Sequence, residues 1–144
     1  DAIYDKICSN LKNIGGTAGP RREVQAIVFN FTVDMATGDG KFYLTIGASL
    51  DGMNLVDVHA RVITAGTTST CTILIANVTQ AVDMLTTKIS IDSAETGSDT
   101  AATPAVIDTA NDDVALNDLL RIDVDTIHTT AAKGLIVRLG FRLP

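Results

Sequence analysis

The sequence predicts an all-β fold, an antiparallel jelly-roll-like β-sandwich preceded by a short N-terminal helix. Three observations carry this expectation. Apolar residues recur at every second position through most of 24–141, the period of a strand with one face buried. Turn residues, as in Thr37-Gly-Asp-Gly40 and Asp51-Gly-Met-Asn54, punctuate these runs at the intervals of a sandwich. The chain then closes with an alternating run at 118–125, a Thr-rich turn and an apolar run at 134–141. That ending reads as a closing hairpin and suits an antiparallel sandwich better than an α/β enzyme.

The elements follow in order, in two parts. Residues 1–23 form an arm, and residues 24–144 form the sandwich. Within the arm, Ile3, Ile7, Leu11 and Ile14 recur at steps of four, four and three, which places them on one face of a helix over 1–14. Gly15-Gly16 supplies a left-handed stop, and 15–23, with Arg21 and Arg22, reads as a flexible connector. A helix this short is marginal in water, so its apolar face must dock, on its own sandwich or on a neighbour.

From 24 onward the period is two. Residues 24–33 put Ile27, Phe29, Phe31 and Val33 on one face, and 41–46 turn Phe42, Leu44 and Ile46 inward. In 55–64, Val56, Val58, Ala60 and Val62 alternate with Asp57, His59 and Arg61. Residues 71–78 form an Ile- and Val-rich strand, 79–86 suggest a single helical turn, and 88–91 a short strand. Residues 92–104 are the longest loop, of a length that is usually functional or mobile. Residues 105–107 form an edge strand and 108–116 a polar turn.

Composition narrows function mainly by exclusion. A net charge of −6 argues against nucleic acid, which calls for clustered Lys and Arg. No apolar run approaches the ~18 residues of a membrane span. Cys8 and Cys71 form neither a disulfide framework nor a metal-ligand spacing, and each sits in an apolar pattern as a small buried hydrophobe. The opening Asp1-Ala-Ile-Tyr4 is neither a signal peptide nor an initiating Met, as expected of a processed or shortened start.

No catalytic constellation emerges. His59 and His128 are the only histidines, and no Ser or Cys occupies a Gly-x-Ser-x-Gly elbow. Asp92, Glu95 and Asp99 share one loop and Asp108, Asn111, Asp112 and Asp113 the next. Such oxygen-rich loops can bind Ca²⁺, but neither matches an EF-hand, and solvated acidic loops are expected. Asp123 and Asp125 alternate with apolar residues and read as exposed polarity on a strand face. The sequons at Asn30 and Asn77 fall inside strands and read as chance. No cofactor is expected.

Several segments together resemble a known family. They are Val58-His-Ala-Arg-Val62, Ile91-Asp-Ser-Ala-Glu95, Thr100-Ala-Ala-Thr-Pro-Ala-Val-Ile107, Asn111-Asp-Asp-Val114, and Asp118-Leu-Leu-Arg-Ile-Asp-Val-Asp125 followed by Gly134-Leu-Ile-Val137. The chain resembles small β-sandwich structural proteins of tailed bacteriophages, of the head decoration, cement or head-fibre type. The resemblance covers roughly 40–141 and rests on fold-setting residues.

It implies a non-enzymatic virion component on the outer capsid surface, in contact with the major capsid protein and assembled as a homo-oligomer, with a trimer favoured. Ile3, Ile7, Leu11, Ile14, Arg21 and Arg22 are then the candidate partner-binding residues. The alternative is a carbohydrate-binding or host-attachment module, disfavoured by the absence of Trp and the presence of only Tyr4 and Tyr43. A glycan-cleaving enzyme ranks last, because nothing suggests a cleft.

Overall fold

The computed structural model describes residues 20–144. The expected helix over 1–14, with Ile3, Ile7, Leu11 and Ile14, lies outside the described residues.

Ten strands form two main sheets and a small ribbon. They are β1 (Arg22–Asp34), β2 (Gly38–Thr45), β3 (Asn54–Arg61), β4 (Cys71–Asn77), β5 (Val82–Asp83), β6 (Leu85–Thr87), β7 (Ile89–Ile91), β8 (Val106–Ile107), β9 (Leu119–Thr126) and β10 (Lys133–Arg142). Sheet A has the order β1-β10-β3, and sheet B the order β2-β9-β4-β5 with β7 also on β4. All pairings in these sheets are antiparallel. β6 and β8 make the ribbon.

The first strand thus pairs with the last and the second with the ninth, so the chain is one long hairpin rolled into two sheets. That is the jelly-roll wrap. One expectation is overturned here. Residues 118–125 and 134–141 do not pair as a hairpin, because β9 lies in sheet B and β10 in sheet A. Their buried faces, Leu120, Ile122 and Val124 against Leu135, Val137 and Leu139, close the core from opposite sides. Sheet-on-sheet burial of both apolar faces outweighs local pairing.

With few aromatics available, Ile, Leu and Val fill the core, and Phe141 is its one aromatic below 2% exposure. Cys71 is buried there as a small hydrophobe, and burial pushes its thiol up to about 12.

Other differences have local causes. β1 begins at Arg22, two residues inside the expected connector, because Arg22 and Glu23 pair with Phe141 and Gly140. The pattern of 24–33 is broken by register shifts between Ile27 and Phe29 and between Phe29 and Asp34. An extra residue flips the faces that follow it. Phe29 packs on the core, while Ile27 and Phe31 are 62% and 68% exposed. Residues 79–86 hold no helical turn. They turn back so that β5 pairs with the end of β4, Asn77 opposite Val82.

The two Thr-rich loops after β3 and β9 meet at one end of the sandwich. Thr67 and Thr130 exchange backbone hydrogen bonds of 3.1 Å in both directions.

Candidate interaction surface

The outward face of sheet A concentrates the unexplained surface of the described residues. Along β10, Ile136 and Arg138 alternate with the buried Leu135, Val137 and Leu139, so both point out. Ile27 and Arg61 flank Ile136, and Gln25 and His59 flank Arg138. The face therefore has an apolar end and a charged half.

Gly134 fixes the apolar end. Its φ is +70°, and a Cβ there would lie 2.9 Å from both Ile63 Cγ1 and Phe31 Cα. The glycine lets Phe31 and Ile63 close over the end of β10. Ile27, Phe31 and Ile63 stay 62%, 68% and 49% exposed, and Val33 is exposed on the same bulged stretch. Large exposed apolar side chains grouped at one end of a sheet mark an interaction site more often than a scatter of single residues does.

In the charged half, Arg21 and Arg138 both approach Asp57 Oδ2 at 3.9 Å, and His59 Nε2 lies 3.4 Å from Asp99 Oδ1. Partial burial, followed by the Arg138 charge, holds His59 below its ordinary value. Arg138 keeps a buried Nε without a partner. Two open hollows meet at His59 and Arg138. One, of about 130 Å³, reaches Gln25, Arg61 and Ile136, and the other, of about 310 Å³, reaches Asp57, Ser98 and Asp99.

The remaining candidate residues do not converge. Arg21 reaches Asp57 and Arg22 heads β1, so both belong to the sandwich rather than to a loose connector. Asp92 accepts the Ala102 amide, Glu95 the Thr100 hydroxyl, and Asp108 the Ala110 amide, all within their own loops. Asp112 is raised by burial, with the charges of Asp113 and Asp108 adding to it. Among the described residues no three His, Cys, Asp or Glu side chains are placed to hold a metal ion.

Asp123 overturns its reading as exposed polarity. It is 1% exposed, accepting the Gly40 amide at 2.8 Å and pairing with Arg121. Asp125 is turned to Lys88 at 2.7 Å, so the two carboxylates serve separate partners. His128 is buried, its Nε2 donating to the carbonyls of Ile91 and Asp92. Asn77 is buried, with its amide donating to Asp118, so that sequon is closed to modification.

Sequence reasoning missed the apolar end of sheet A. Ile27 and Phe31 looked like core because the bulges that expose them leave no compositional mark. Ile63 gave the available signal, an apolar residue at the polar parity of its run.

No protein-family model matches the chain, and neither a curated protein nor a solved structure matches it.

Proposed function

We propose that the chain is a non-enzymatic virion structural protein that decorates or cements the outer surface of a tailed-phage capsid. The observation that carries this reading is the exposed apolar end of sheet A, made by Ile27, Phe31 and Ile63 on a jelly-roll sandwich. A sandwich that leaves such a patch uncovered is built to associate. The segments that resemble phage structural proteins fall on β3, β8, β9, β10, the end of β7 and the two acidic loops beside β3.

In this reading the major capsid protein takes up the arm, with Ile3, Ile7, Leu11 and Ile14 as its apolar anchors. Arg21 and Arg22 hold the arm's root to sheet A. Weak contacts repeated over a shell add up through avidity, so a short arm suffices. The sugar-binding alternative gains nothing from the hollows, which no Phe, Tyr or Trp side chain lines. Tyr43 lies on sheet B, against Gly40.

The test is co-sedimentation with undecorated capsids of the phage that encodes the chain. The expected result is saturable binding at a fixed number of copies per capsid. A variant carrying Ile7→Asp and Leu11→Asp should stay in the supernatant while melting like the parent. A parent protein that never pellets with capsids overturns the reading.

A further inference from the structure

The two sides of sheet A are unlike. Along the free edge of β3, Thr96 accepts the Val62 amide at 2.8 Å, Gly97 bridges to Arg61, and Ser98 Oγ accepts the Ala60 amide. Further along, Asp112 accepts the Leu55 amide at 2.7 Å and Asp113 bridges to Asn54. This side is thus closed by two loops rich in carboxylates. Along the free edge of β1, no such covering segment is found among the described residues. It is a long open edge, which folded proteins ordinarily cover or blunt.

The rows across the sheet bring opposite characters to opposite sides. One row runs Arg22, Phe141, Leu55 and then Asp112. It is basic at the β1 side, with Arg21 adjoining, and acidic at the β3 side. Asp108, Asp112 and Asp113 crowd there, and among the described residues none of them forms an ion pair. Another row runs Ile27, Ile136, Arg61 and then Gly97. It is apolar and exposed at the β1 side, and at the β3 side it ends on the exposed Arg61 and on Gly97, with the Asp99 carboxylate against it.

We infer that copies of this chain join side by side in a closed ring, the open β1 side of one docking on the acidic β3 side of the next. Setting two copies edge to edge at the same height puts Arg21 and Arg22 level with Asp112 and Asp113. The same placement sets Ile27 level with Thr96 and Gly97. Like sides would set Arg22 against Arg22 or Asp112 against Asp112 in a parallel arrangement, so the unlike pairing is the favourable one. A contact between unlike surfaces repeats head to tail and closes when the rotation allows.

This deepens the decoration reading by naming the second partner of the same face. The arm remains available for the shell.

The test is the solution mass of the full chain by light scattering, in low and in high salt. The expected result is an oligomer that weakens as salt screens the Arg–Asp contacts. Two variants then separate the sides. Ile27→Asp with Phe31→Asp spoils the β1 side, and Asp112→Lys with Asp113→Lys spoils the β3 side. Each variant alone should be monomeric. Their equimolar mixture should give dimers and nothing larger, since each variant keeps one sound side. Circular dichroism and the melting temperature of each variant establish that it is folded.

A monomeric parent overturns the ring, as does a β3-side variant that still assembles. A parent oligomer for which either variant alone still dimerises means that like sides pair instead, and also overturns it. Should removal of residues 1–19 turn a monomer into an oligomer, the occupant of the face is the chain's own arm. None of these outcomes touches the co-sedimentation test, because a monomer can also coat a shell.

Discussion

One oxygen of Asp118 organises the turn that follows β4. Asp118 Oδ2 accepts hydrogen bonds from Asn77 Nδ2 at 3.0 Å, Gln80 Nε2 at 2.9 Å and the Ala115 amide at 3.0 Å. Burial opposes the charge, but the three donors outweigh it and hold the carboxyl below the ordinary carboxylate value. A lowered folded value means that the ionised group stabilises the fold above the unfolded pKa of about 4. That contribution is lost as pH falls through the folded value. We therefore expect Asp118→Ala to cost about 1–3 kcal/mol at pH 7, because it strands the buried Asn77 amide. Urea unfolding at pH 7 measures the cost. The same titration carried to pH 3 should show the gap between variant and parent narrowing. A gap that stays constant with pH would mean that packing, not the carboxylate, supplies the stability.

At the scale of elements, the joined Thr loops are the least forgiving connection. Gly66 packs against His128, and a Cβ at Gly66 would lie 2.4 Å from His128 Nδ1. His128 in turn ties β9's exit to the Ile91 and Asp92 carbonyls. Gly66→Ala should cost about 3 kcal/mol through overpacking, read as a lower urea midpoint with an unchanged slope. Restoring room with His128→Ala in the same chain should recover part of the loss.

These strands also show what alternation encodes. The inward set of β2, and Ile122 and Val124 of β9, were legible, since period two says which residues face the core. It does not say which strand lies alongside, so the ending read as a hairpin when its strands face each other across the core. Nor does period two mark a bulge. Ile27 and Phe31, read as core, are surface for that reason. The candidate site was therefore legible in its polar members, His59, Arg61 and Arg21, and hidden in its apolar ones.

At the scale of the whole molecule, the buried core of the described residues runs from Ala26 to Phe141, and we expect this sandwich to fold without the arm. A chain of residues 20–144 should unfold cooperatively, with a melting temperature within about 5 °C of the full chain. A cut after residue 23 is different. It removes Arg22 and Glu23, whose partners are Phe141 and Gly140, and should lower the melting temperature further. Scanning calorimetry of the full chain and the two truncations makes the comparison. Equal melting for both truncations would show that the first pairs of β1 add nothing.

The pairing of β1 with β10 has a mechanical consequence. Arg22 lies opposite Phe141, so both ends of the sandwich leave from the same end of sheet A. Tension applied between them meets the backbone pairs in sequence, beginning with that first one. The sheet then opens like a zipper, at low force. Tension between the arm and the Thr loops instead runs along β1 and loads its pairs together. A protein held by its arm against a moving surface is thus pulled along its strong direction.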